Sequence, residues 1–251
     1  MMTIKIEEMN WVDIKEAIEN GYTSIIIAVG AIEQHGPHLP IITDTLIGDV
    51  LANKIALKLG KTLQGPTINI GCSKHHLAFT GTISIRSETM KAIIADYVES
   101  LSYHGFRNII FLPSHGGNFS TVAEIIAELQ GKYSEINIIG YTDLYGFIEI
   151  LHKFSASSGV TAEEAGAHAG ENETSLVLAM REELVKKDRY VPGFVDQFGK
   201  KEGELVYSKG MKAITENGII GDPSKASAKS GLSYITEMVE YLSKELQSKL
   251  A

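Results

Sequence analysis

An α/β fold, with a mainly parallel sheet carrying helices on both faces, is what this sequence predicts, and three observations predict it. Short β-branched runs recur along the 251 residues, each is followed by text of helical period, and no linker, repeat or charge block divides the chain. The runs are 24–29 (SIIIAV), 67–70 (TINI), 108–112 (NIIFL) and 136–139 (INII), continuously apolar and therefore read as buried parallel strands. After the first, TDTLIGDVLANKIALKLG sets Leu46, Val50, Leu51 and Ile55 on one helix face and stops at Gly60. After the second, Met90, Ile93, Ile94, Tyr97, Val98 and Leu101 keep the i, i+3, i+4 spacing until Gly105. After the third, Val122, Ile125, Ile126 and Leu129 repeat it before Gly131, and two further helices are expected at 172–187 and 227–250. The stretches 145–169 and 187–223 resist assignment, and loops that long in a compact domain are usually functional. The expectation is one domain spanning residues 1–251.

Composition narrows the function. With 44% apolar and 22% charged residues the chain can bury a full core without a metal or disulfide. The formal charge of −8, from 31 acids against 23 bases, would repel nucleic acid and anionic lipid. Cys72 is the only cysteine, which forbids an intrachain disulfide and a multi-thiolate zinc cage and suits a reducing cytosol. The N-terminal MMTIKIEEMNWVDIKEAIENG has no basic stretch leading into an apolar run, so neither secretion nor membrane spanning is expected.

In α/β sheets ligands sit beyond the carboxyl ends of strands, and polar residues gather there. GAIEQHGPHLPIITDT brings Glu33, His35, His38 and Asp44; GCSKHHLAFTGT brings Lys74, His75 and His76; PSHGGN brings His115, Gly116, Gly117 and Asn118; and AHAGENETS brings His168, Glu171 and Glu173. Six of the eight histidines fall in these four segments, which is not how scattered surface histidines sort. Imidazole and carboxylate without sulfur suit zinc, manganese or iron(II). A pair of such ions lowers the pKa of bound water to about 7 and polarises a carbonyl, so hydrolysis needs no side-chain nucleophile. Each residue also has an ordinary reading. Asp44 could cap the helix that follows it, His115 with two glycines could form a turn, and Glu171 and Glu173 could simply favour a helix N-terminus. Those readings weaken together because all four segments end at the same expected edge of the sheet. No phosphate-binding GKS or GKT, GxGxxG, GxSxG or HExxH occurs at the places those motifs require.

In order and spacing, GAIEQHGPHLPIITDT, FTGTISI, SHGGN, HAGENETS and GIIGDPSKAS resemble the creatininase family of creatinine amidohydrolase-like enzymes, over nearly the whole chain. The resemblance implies a three-layer α/β/α sandwich, a homohexamer and two divalent metal ions per chain. By matching position, Glu33 and His115 would hold one ion, His35 and Glu173 the other, with Asp44 bridging and His168 contacting substrate and assisting proton transfer. The stretches 74–79 and 141–147 fall where family members line the pocket, with Lys74, His75, His76, Gly116 and Gly117 as the substrate-binding candidates. Creatininase itself reads His-Tyr-Glu-Asn where this chain has His115, Gly116, Gly117 and Asn118, so Gly117 replaces a glutamate and Glu171 becomes a candidate for the missing carboxylate. Trp11 is the only tryptophan, which leaves creatinine a poor fit.

These residues lead to a cytoplasmic, metal-dependent amidohydrolase that cleaves a non-peptide amide, formamide or cyclic amide C–N bond in a small molecule by metal-bound hydroxide. His168 and Glu171 are its catalytic candidates. Family branches sharing HGGN and HAGE leave three alternatives open: a formamidopyrimidine ribonucleotide deformylase, a peptide-trimming enzyme, and a C–C or lactone hydrolase of an inositol derivative. A non-catalytic metal-binding protein is the alternative of a different class.

Overall fold

The computed structural model describes residues 3–250. Four strands, β1 (Ser24–Val29), β2 (Thr62–Gln64), β3 (Asn108–Pro113) and β4 (Asn137–Gly140), form a parallel sheet in the order β2-β1-β3-β4. Successive residues of a strand point to opposite faces, so each central strand feeds two cores. On one face Ile25, Ile27, Val29, Ile109 and Phe111 pack against α3 (Ser87–Tyr103) and α4 (Phe119–Lys132), through Met90, Ile94, Val98, Val122 and Ile125. On the other, Ile26, Ala28, Ile110 and Leu112 meet α2 (Thr43–Leu59), α7 (Glu171–Arg181) and α9 (Ala228–Leu250), through Leu51, Ile55, Leu176, Tyr234, Met238 and Leu242. This is the three-layer α/β/α sandwich expected from the sequence.

The second strand differs from expectation. It lies at Thr62–Gln64, and 67–70 touches β1 only at the Ile68 to Val29 bridge. Proline has no N–H for the ladder, so Pro66 breaks the strand after Gly65 N–H bonds to Ile26 O, and the chain rejoins β1 at Ile68. A helix that periodicity did not flag, α1 (Trp11–Glu19), starts where the Asn10 side chain accepts from the N–H groups of Val12 and Asp13. The unassigned stretches hold α5 (Leu144–Ala156), α6 (Ala162–Ala165) and α8 (Lys200–Lys209), and α7 ends earlier than the predicted 187. No helix among the described residues is long and apolar enough to cross a membrane.

With this order, β1 and β3 are the neighbours from which the chain departs in opposite directions, and the crevice at their carboxyl ends is where an open α/β sheet binds ligands.

Candidate metal centre

The loop after β1 supplies Glu33, Gln34 and His35, the first turn of α2 supplies Asp44, and His115 follows β3 directly. His168 precedes α7, whose first turn carries Glu173. Asn118 ties these loops together: its amide donates to Val29 O and Gly30 O at 3.0 and 2.9 Å, and its carbonyl accepts from Cys72 N–H at 2.9 Å. Between His168 and Glu173, Ala169 sits in the left-handed region with φ of 53°, and its N–H bonds to Glu173 Oε2 at 2.5 Å. A strained non-glycine residue held this way aims both neighbours at one place.

The side chains converge. His115 Nδ1 lies 3.2 Å from Glu33 Oε1 and 3.4 Å from Asp44 Oδ2, while His35 Nε2 lies 3.2 Å from Asp44 Oδ1 and 3.8 Å from Glu173 Oε2. His168 Nδ1 is 3.8 Å and His76 Nε2 3.3 Å from Glu33 Oε1. Asp44 therefore turns one oxygen to each of two imidazoles. Both oxygens of Glu33 and Oδ2 of Asp44 are buried with no hydrogen-bond partner among the described residues, a costly state for carboxylates unless a cation meets them. The rear nitrogens complete the pattern: His35 Nδ1 faces Glu33 O at 3.1 Å, His115 Nε2 faces Cys72 O at 3.4 Å, and His168 Nε2 faces Gln34 O at 2.7 Å. A nitrogen facing a carbonyl carries the proton, so the front nitrogens of all three rings present lone pairs to the cluster, the usual arrangement of metal-binding histidines.

Electrostatics point the same way. Burial pulls the His35 pKa down, but Asp44, by charge and hydrogen bond, and then Glu173 and Glu33 carry it up to about 10. In His115, burial is likewise outweighed, chiefly by Glu33, and the ring is raised well above the usual imidazole value. Burial pushes Glu173 up to about 7 against the pull of His35. Burial would raise Asp44 too, yet the His35 charge, the nearby His115 and the hydrogen bond from His35 hold it below the usual carboxylate range. His168 is kept neutral by burial and then by the His35 charge. Without an ion, protons on His35 and His115 stand where cations would balance the carboxylates.

Glu33, His35, Asp44, His115, His168 and Glu173 thus meet as the sequence suggests, and other candidates fall elsewhere. Glu171 is a correction: positions 171 and 173 are about 200° apart on a helix of 3.6 residues per turn, so they face opposite ways. The Glu171 carboxylate is buried instead among helices, accepting from Ser155 Oγ at 3.1 Å, Ser175 Oγ at 2.7 Å and Tyr234 OH at 3.2 Å. Glu171→Ala is expected to leave the metal content unchanged while costing about 1–3 kcal/mol for each hydroxyl left unpaired, read by urea unfolding. Metal loss at unaltered stability would return Glu171 to the centre.

Lys74, expected to bind substrate, is exposed and does not line the cavity beside the cluster. Gly117, a further substrate candidate, is packed rather than open: a Cβ there would stand 2.4 Å from Cys72 O and 2.5 Å from His115 Nε2, so no glutamate fits without a backbone shift. His75 and Gly116 do line the cavity. His76, expected to touch substrate, reaches Glu33 as well as the cavity wall. His38 lies apart, with Nε2 2.8 Å from Thr174 Oγ1.

The cavity, about 490 Å³ including its mouth, opens from Glu33, His115 and His168 onto an apolar wall. Leu144, Tyr145 and Ile148 of α5 and Val206 and Tyr207 of α8 form most of it, and no lysine or arginine lines it. Of this wall, Leu144 and Tyr145 fall within the stretch 141–147 expected to line the pocket, whereas Ile148 and the α8 residues were missed, as was Gln34, whose only signal was its place between Glu33 and His35.

A family model described as creatinine amidohydrolase matches residues 7–246. The mycofactocin precursor peptide peptidase of Mycobacterium ulcerans (strain Agy99) is 30% identical over 227 residues, covering 87% of this chain and 82% of that protein. The 3-dehydro-scyllo-inosose hydrolase of Thermotoga maritima is 28% identical over 238 residues, covering 88% and 75%. Among solved structures, a creatininase with Mn superposes with a TM-score of 0.81 at 21% identity, covering 98% of each chain. A mutant creatininase of Zn-Zn type gives 0.80 at 22%, covering 99% of this chain and 98% of that one. At these identities the structural likeness speaks for the fold alone.

Proposed function

Because this chain belongs to the creatininase family, we propose that it is a metal-dependent hydrolase of an amide C–N bond whose substrate carries an apolar or aromatic group. One observation carries the reading: three carboxylates, two of them with orphaned buried oxygens, converge with three imidazoles whose rear nitrogens are all engaged by carbonyls. Glu33 with His115 and His35 with Glu173 would hold two divalent ions, and Asp44, with one oxygen toward each group, would bridge them. Zinc and manganese, found with relatives, and iron(II) all suit these ligands. Such ions supply an activated water and a polarised carbonyl. The chain supplies the proton path: His168 Nδ1, neutral and open toward the cluster, takes the proton of the attacking water and returns it to the leaving nitrogen.

The wall chooses the substrate class. Leu144, Tyr145, Ile148 and Val206 reward an apolar or aromatic group, by about 25 cal/mol for each Å² buried. A phosphorylated substrate such as a formamidopyrimidine ribonucleotide would want a cation, but Lys74 is exposed and Lys225 pairs with Glu164 at 2.7 Å. A second reading, trimming of a peptide, is favoured by the 30% identical relative named as a peptidase, and the same wall would take an aliphatic or aromatic peptide side chain. The proposal also includes the family's hexameric assembly and a cytosolic setting. After reconstitution with zinc, manganese or iron(II), a panel of formamides, lactams, cyclic ureas, aromatic amides and short peptides should show turnover confined to members with an apolar group. Efficient hydrolysis of creatinine, or turnover of lactones alone, would sink this assignment. A chain that binds metal yet turns over nothing would be the non-catalytic alternative.

A further inference from the structure

Four imidazoles touch the carboxylate cluster, and one is held differently. His35, His115 and His168 each face a backbone carbonyl with the rear nitrogen, whereas the rear nitrogen of His76, Nδ1, lies 2.9 Å from the side-chain amide nitrogen of Gln34. Two backbone groups fix the orientation of that amide: Gln34 Oε1 accepts from Gly36 N–H at 2.9 Å, and Nε2 donates to Gly218 O at 3.1 Å. Nε2 has one N–H left. His168 Nε2, 3.0 Å away, cannot accept it, because that nitrogen spends its own proton on Gln34 O at 2.7 Å, a distance two lone pairs would not tolerate. The remaining N–H therefore goes to His76 Nδ1, and the proton of His76 sits on Nε2, 3.3 Å from Glu33 Oε1.

We propose that Gln34 is a positioning residue that holds His76 as its Nε2–H tautomer, so that His76 turns an N–H rather than a lone pair toward Glu33 and is excluded from binding metal. A protonated nitrogen has no lone pair for an ion, although Glu33, His76 and His168 are close enough to form a ligand set. What this does for catalysis rests on the hydrolase reading above, but the tautomer is measured independently of turnover.

In zinc-loaded enzyme with ¹⁵N-labelled histidine, long-range ¹H–¹⁵N correlations should show His76, identified by the signal lost in His76→Gln, protonated at Nε2. In Gln34→Glu the new carboxylate should accept from Nδ1 and move the proton there. His76→Ala should keep the zinc stoichiometry of the wild type with affinity lowered about 10- to 100-fold, the effect of losing an N–H that faces a ligand, and His76→Gln, which can again present an N–H, should recover most of it. Wild-type His76 protonated at Nδ1, or an ion lost outright from His76→Ala, would overturn the proposal. Should Gln34→Glu fail to fold, the wild-type spectrum decides alone, and absence of turnover would count only against the hydrolase reading.

Discussion

Asp44→Ala should empty the metal centre and lower turnover by more than about 10³-fold, beyond the loss expected for a single transition-state donor. The size follows from position. Asp44 is buried and turns Oδ1 toward His35 at 3.2 Å and Oδ2 toward His115 at 3.4 Å, so its removal deprives both groups of ligands at once. Glu33→Ala or His35→Ala would each remove a ligand from one group only, and their metal loss should be correspondingly partial. Elemental analysis of the three variants after identical zinc reconstitution measures the order. Full metal content in Asp44→Ala would mean that the carboxylate is not shared.

His168→Ala should do the opposite, keeping metal and fold while kcat falls by about 10² to 10⁴, the range for a lost proton-transfer group. Its Nε2 is committed to Gln34 O at 2.7 Å, which leaves Nδ1 free to cycle a proton without moving the ring. KM should change little, because the apolar wall that holds substrate is untouched. Zinc released from this variant would make His168 a ligand rather than a proton carrier.

That both residues belong to one cluster was legible in the sequence, since each stood in its own expected strand-end segment, but their different roles came only from the family resemblance. What one dimension could not hold was direction. Glu171 and Glu173 share a motif, yet the helix turns them to opposite sides, and only Glu173 reaches His35. His75 and His76 are adjacent, yet the short turn Lys74–His76 sends only the second to Glu33. In the fold, α3, α4 and α9 announced themselves by period because each has one buried side, and β1 by an unbroken apolar run because both its faces are buried. Helix α5 was not flagged although one side of it is apolar: Leu144, Phe147, Leu151 and Phe154 pack toward the sheet, and Leu144, with Tyr145 and Ile148, also lines the cavity. Helix α8 was hidden by being largely polar, with Val206 and Tyr207 at the cavity. Pro66 explains the misplaced second strand.

The residues around the carboxylates and the residues that make the apolar wall come from different parts of the chain. Glu33, His35, Asp44, His115, His168 and Glu173 hang from the sheet edge and the first turns of α2 and α7, whereas the wall is mostly α5 and α8. Substitutions along α8 can therefore change what is admitted without disturbing the charges that do the work. On the proposed function, the two can vary separately, so substrate preference can shift through one exposed helix while the residues that would hold metal stay the same.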